Sequence, residues 1–148
     1  FGNCHGMRCT RVVSRTLGVI LVVIPSVLCA MEPLAVCTGA AAGALLRWRI
    51  TEEAKRYGMN PWSTMGINIC GSFILGACAS RNFQNSHIPL LVGTGFCGSF
   101  TTLSSFSLDV LTMLQKGHHA RAGVLIFVTN AASLGAAGLG YKVFKQKF

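Results

Sequence analysis

Four apolar runs separated by short polar connectors limit what this chain can fold into; they occupy residues 34–46, 61–80, 88–114 and 122–143. A membrane-spanning helix takes about 20 residues, so four such helices fill most of the sequence and leave no room for a second, soluble domain. Composition points the same way. Only 11% of the 148 residues are charged, against roughly 25% in an ordinary soluble domain. Apolar residues make up 51%, and a small soluble domain buries only about two-thirds of its unfolded surface. Lipid is therefore the natural solvent, and the expected fold is an all-α integral membrane protein with four transmembrane helices over residues 32–148.

Residues 1–31 read differently. Arg8, Arg11 and Arg15 precede a short apolar run at 17–28, interrupted by Pro25 and followed by the small residues Cys29 and Ala30. A basic head, a short apolar core and small residues at its end are the pattern of a secretory or organelle-targeting peptide, and this extension is expected to be one rather than an extra helix. The membrane expected for the remainder is the plasma membrane, or an organelle membrane if the extension targets one.

The formal charge of +9 would suggest nucleic acid in a soluble chain. Here the bases flank the apolar runs, as Lys and Arg do at the ends of membrane helices, and no nucleic-acid partner is expected. Their distribution is even. Arg47, Arg49, Lys55, Arg56, Lys116 and Arg121 fall on one side of a four-span topology, and Arg81, Lys142, Lys145 and Lys147 on the other. Adding the three N-terminal arginines to the second group makes it six against seven. Lys/Arg bias normally sets orientation. A chain with so little bias is expected to insert both ways and pair as an antiparallel, dual-topology homodimer.

The chemistry lies in polar residues placed where lipid favours apolar ones. Between positions 99 and 107 stand Ser99, Thr101, Thr102, Ser104, Ser105 and Ser107, preceded by Gly95 and Gly98. Irregular backbone at membrane depth is tolerated only where it is buried in protein or lines a cavity, so the third helix is expected to break at its centre. Thr64, Asn68 and Ser72 recur every four residues, on one helix face. In the fourth run Asn130 and Ser133 share a face with Phe127. Interhelical hydrogen bonding is the simpler explanation of each stripe alone; three neutral stripes together favour a path for a small ion.

Absences narrow the function further. Proton-coupled transporters place acids or histidines in mid-membrane, whereas the acid within these runs is Asp109, near the outer end of the third. The seven cysteines include no Cys-x-x-Cys pair, and no metal site is expected from them. Phosphate-loop, zinc-protease and nucleophile-elbow motifs are missing from the sequence. Passive conduction fits these residues better than pumping or catalysis, and no enzyme activity is expected.

Three elements, in order, carry a family resemblance. The first run holds Gly39-x-x-x-Gly43-Ala44-Leu45-Leu46-Arg47-Trp48, the second Gly66-Ile67-Asn68-Ile69-Cys70-Gly71-Ser72-Phe73, and the third Gly95-Phe96-Cys97-Gly98 followed by Thr101-Thr102. Over about residues 34–144 the chain resembles the Fluc/CrcB fluoride channels. That resemblance implies a fluoride-selective channel lowering cytosolic fluoride by passive efflux, built as a dual-topology homodimer with two pores. It implies pore roles for Thr64, Asn68, Ser104 and Ser105, and a sodium ion held on the dimer axis by the backbone carbonyls of Gly98 and Thr101. Arg47 and Asp109 are implied at a vestibule. Leu103 stands where the family has the first of two pore Phe residues, Phe106 keeps the second, Asp109 replaces a Glu, and Phe127 occupies the position matched to a pore Tyr. Asn130 and Ser133 complete the candidate pore set. The competing readings are a small multidrug-type exporter, which would need a mid-membrane Glu that residues 34–46 lack, and a non-transporting assembly protein.

Overall fold

The computed structural model describes residues 31–81, 83 and 87–145; the expected targeting segment lies outside them apart from its last residue. The chain divides into a unit Phe1–Leu34, described only from Met31, where the first helix begins, and a unit Ala35–Phe148 that contains every site and contact discussed below. Among the described residues all regular structure is helical: α1 (Met31–Arg56), α2 (Asn60–Ala79), α3 (residues 87–100), α4 (Leu103–Gln115) and α5 (His119–Phe144). Helix α3 is composite, with one turn at His87–Pro89, a π-helical stretch Leu90–Cys97 and a closing turn Gly98–Phe100. Helices α2 and α5 are long and apolar enough to cross a membrane.

The first connector is shorter than the polar stretch 51–60 suggests, because α1 runs on through it to Arg56. Lys55 pairs with Glu52 at 2.7 Å and Arg56 with Glu53 at 3.4 Å, each one helical turn apart, and such pairs support a helix even in water. The helix stops at Gly58, whose φ of 66° reverses the chain. There Met59 N–H donates to Ala54 C=O and Gly58 N–H to Lys55 C=O, at 2.9 and 3.1 Å, which satisfies the last carbonyls of the helix. The same device recurs at Gly117, φ 77°, between α4 and α5. There His118 N–H reaches Met113 C=O at 2.9 Å and Gly117 N–H reaches Leu114 C=O at 3.0 Å.

Close packing comes from small residues. A side chain on Gly76 would run into the Ala137 backbone, and one on Gly140 into the Phe73 backbone, so α2 and α5 lie backbone to backbone. Pro61 and Trp62 at the start of α2 share a cavity wall with Ala120 and Arg121 at the start of α5, and Arg81 just past the end of α2 lies over Phe144 at the end of α5, so the two run parallel. Gly39 and Gly43 of α1 likewise face the backbone of α3 at Leu91 and Phe96. In lipid, where burial of apolar surface gives helices little reason to associate, such approaches supply the packing that holds them together. At the C-terminal end of α5, Phe144 meets Phe73 edge to face at 6.3 Å, and the Arg81 guanidinium lies over the Phe144 ring at 5.1 Å.

Candidate functional site: the broken helix and its cleft

Helix α3 ends at Phe100, and α4 begins at Leu103. Thr101 and Thr102 between them are extended, with φ/ψ of −74°/155° and −150°/115°. Asn68 of α2 holds this break. Its Nδ2 donates to the Thr102 carbonyl at 3.1 Å, while its Oδ1 accepts from the Thr102 N–H at 2.8 Å. The amide oxygen thus replaces the helical acceptor that the Thr102 N–H has lost, while Nδ2 adds a bond to the Thr102 carbonyl, which as the N-cap also accepts the first bond of α4. Gly71, three residues further on the same face, leaves room for the Thr101 methyl, which a side chain there would meet. The Asn-x-x-Gly spacing of the second run is therefore a mould for the break in the third.

The side chain of Thr102 starts the next helix. Its Oγ1 accepts from the Ser105 N–H at 3.2 Å and donates to Ser105 Oγ at 3.1 Å, with Ser104 Oγ also at 3.1 Å. A hydroxyl at this position satisfies one of the orphaned donors of a first turn. Ser104 and Ser105 thus belong to the cap and do not line the cleft. The break strips four carbonyls, those of Gly98, Ser99, Phe100 and Thr101, of their helical donors. In an unbroken helix Gly98 C=O would receive the Thr102 N–H and Thr101 C=O the Ser105 N–H; the first of these donors is held by Asn68 and the second by the Thr102 hydroxyl.

Beside the break lies a cleft of about 320 Å³. Of the candidate pore residues it gathers Asn68, Leu103, Phe106, Asn130 and Ser133, together with both Gly98 and Thr101. Ser72, of the stripe that holds Asn68, also lines it. Phe127 lies elsewhere, 75% exposed on α5. Asn130 turns its Nδ2 back to the Ile126 carbonyl at 2.7 Å. Thr64 is likewise outside the cleft. It is 6% exposed, and its hydroxyl donates to Asp109 Oδ2 at 2.8 Å, tying α2 to α4. Asp109 is accordingly a partner of Thr64. Arg47, on α1, is half-buried, and its Nε is buried without a hydrogen-bond partner among the described residues.

One residue of the cleft escapes the sequence reading. Thr129 is 4% exposed, lines the cleft, and its hydroxyl has no hydrogen-bond partner among the described residues; the Ser133 hydroxyl, one turn on, is in the same state. A threonine within a helix ordinarily bonds back to the preceding turn, so two adjacent buried hydroxyls that do not are set to meet something else. The i, i+4 spacing of Thr129 and Ser133 was the available signal; grouping Ser133 with Asn130 and Phe127 by a spacing of three obscured it.

An all-α membrane protein built around a neutral polar cleft at a helix break is the class that fold and site define. Residues 34–141 match the sequence profile of the family described as CrcB-like protein, Camphor Resistance (CrcB), and the chain belongs to that family. It is similar to the protein named fluoride-specific ion channel FluC 1 of Desulfitobacterium hafniense, 37% identical over 108 residues, covering 70% of this chain and 95% of that one. The protein named fluoride-specific ion channel FluC of Variovorax paradoxus is 42% identical over 108 residues, 70% of this chain and 83% of its own. That of Rhizobium etli is 33% identical over 121 residues, 78% and 97%.

Proposed function

We propose that this chain is a fluoride-specific channel that lets the anion leave the cytosol down its electrochemical gradient. The observation that carries the reading is the pair of buried, unpartnered hydroxyls of Thr129 and Ser133 beside Asn68, in a chain related to proteins named fluoride-specific channels. Fluoride is small and strongly hydrated, so it enters a membrane only where hydrogen-bond donors replace its water. Hydroxyls supply such donors without fixed charge, and therefore without binding the anion too tightly to release it. Hydrogen fluoride crosses bilayers as a neutral acid, ionises at neutral pH and is trapped. A passive anion pathway in a membrane with a negative interior reverses that accumulation.

The working unit in this reading is an antiparallel homodimer. The even split of bases supports two orientations, and Leu103, 76% exposed while lining the cleft, is placed for a second copy to cover. The carbonyls of Gly98 and Thr101 are the groups that would hold a sodium ion between subunits. They fit one, being hard oxygens that have lost their helical donors. Bound there, sodium would supply positive charge and tie the two breaks together. Arg47 would draw anions towards a mouth, and the plasma membrane is the site that suits efflux.

Vesicles loaded with fluoride and with chloride test the function. Reconstituted protein is expected to release fluoride far faster than chloride; equal release of both, or none of either, would refute it.

A further inference from the structure

A second cavity, of about 480 Å³, lies at the end of the bundle where α2 and α5 begin and α4 ends. Pro61, Trp62, Met113, Val124 and Leu125 give it an apolar lining, with Arg121 at its wall. Trp62 is 54% exposed and Val124 57%, so the cavity is a groove open along the outside of the helices. Tryptophan beside a basic residue at the end of a membrane helix marks the headgroup level. The groove therefore runs from that level towards the hydrocarbon.

Charge around it has one sign. Lys116, His118 and His119 lie exposed in the connector and first turn next to Arg121, and no Asp or Glu occurs at positions 57–66 or 110–125. The nearest acid along α4, Asp109, accepts from Thr64. Arg121 makes no ion pair with any described residue; the ion pairs of the described chain are both on α1. Neither α2 nor α5 has a side-chain cap at its N-terminus. Being parallel, the two helices bring the positive ends of their dipoles to this same end.

We propose that this groove is a binding site for an anionic phospholipid, with an acyl chain along Trp62, Met113, Val124 and Leu125 and the phosphate on Arg121. The site is separate from the ion pathway and does not depend on which ion the protein conducts. Basic residues between membrane helices are a recurring means of holding anionic headgroups, and here the apolar groove adds a seat for the chain.

Native mass spectrometry of the full-length protein, extracted from phosphatidylcholine vesicles with and without phosphatidylglycerol, tests this directly. Phosphatidylglycerol is expected to survive delipidation in preference to phosphatidylcholine. Arg121→Gln should weaken its retention about fivefold, the effect of one base near a membrane surface, while Arg121→Lys should restore it. Val124→Trp, which fills the groove, should remove both lipids and leave the helical circular dichroism unchanged. Equal retention of the two lipids would overturn the proposal, as would an unaltered Arg121→Gln protein. Displacement of the lipid by inorganic phosphate would also overturn it, since a seated acyl chain resists a free anion. So would a Val124→Trp protein that dissociates into monomers with its lipid count intact, because the groove would then hold a second copy.

Discussion

Replacing Asn68 by Asp separates two roles that this residue combines, holding the break and keeping the cleft neutral. The wild-type amide accepts from Thr102 N–H at 2.8 Å and donates to Thr102 C=O at 3.1 Å. An ionised Asp keeps the first bond and loses the second, setting an anionic oxygen against a carbonyl. The lost hydrogen bond costs about 0.5–1.5 kcal/mol, well within the ~5–15 kcal/mol by which a folded protein is stable, so the helices should still assemble. The larger effect is on the ion. A unit negative charge about 4 Å from a passing anion raises its energy by about 4 kcal/mol at an effective dielectric constant near 20, or about a thousandfold in rate. Protonation reverses both effects, because a neutral carboxyl offers one donor and one acceptor in the arrangement of the amide. Conduction should therefore return as the pH falls far enough to protonate the carboxyl. The assay is fluoride release from vesicles at neutral and mildly acidic pH, with protein-free vesicles subtracted for leak of the neutral acid. Asn68→Leu serves as the second arm: it leaves Thr102 N–H unpaired and removes one of the two bonds to Thr102 C=O, adds no charge, and should lose conduction at every pH. Wild-type release by Asn68→Asp at neutral pH would refute the reasoning, as would loss of release that no acidification restores.

Other positions give independent checks. Thr129→Val removes a buried hydroxyl that has no partner among the described residues, so thermal stability should be unchanged or slightly higher. Fluoride release should nonetheless fall about tenfold or more, the weight of a hydrogen bond to an anion; unchanged release would take Thr129 out of the pathway. Gly76→Ala and Gly140→Ala push a methyl into the opposing backbone and should cost about 1–3 kcal/mol or more. Gly135→Ala, facing open space, should be neutral or stabilising by about 0.5–1 kcal/mol, and a thermal-unfolding series distinguishes the two outcomes. The Lys55 ammonium, through its hydrogen bond to Glu52 and its charge, holds that carboxyl below the usual range. A depressed carboxylate pKa adds stability that is present above the ordinary carboxylate range and is lost as pH falls through the lowered value. Fraying of the end of α1, followed by hydrogen exchange at 52–56, should therefore begin only as the pH falls below the ordinary carboxylate range; Glu52→Gln should fray the same end at neutral pH.

Much of this architecture was legible in the sequence. Low charge and long apolar runs dictate helices in lipid, because only there are all backbone groups satisfied within one segment. The cluster of hydroxyls at 99–107 pointed to the break, since no lipid-exposed helix has reason to carry six of them. The extension of α1 to Arg56 was obscured because residues 51–56 are polar; one-turn ion pairs make a polar segment helical without burial. The π-helical stretch at Leu90–Cys97 has no local signature, as an extra residue in a turn is accommodated by what packs around it.

Sequence alone determined which residues could do chemistry here: neutral amides and hydroxyls on three helices, with no mid-span charge. Only the tertiary structure decided what each one does. Asn68 is given to the Thr102 backbone, Thr64 to Asp109, and Ser105 to the cap of α4. Thr129 and Ser133 are left with hydroxyls to offer. The physical reason is that a polar group in lipid takes whatever partner the fold brings within about 3 Å. For Asn68 that partner is 34 residues away in the chain and for Thr64 it is 45. Helical periodicity names the face on which a side chain stands; the partner across the gap is set by how the helices pack.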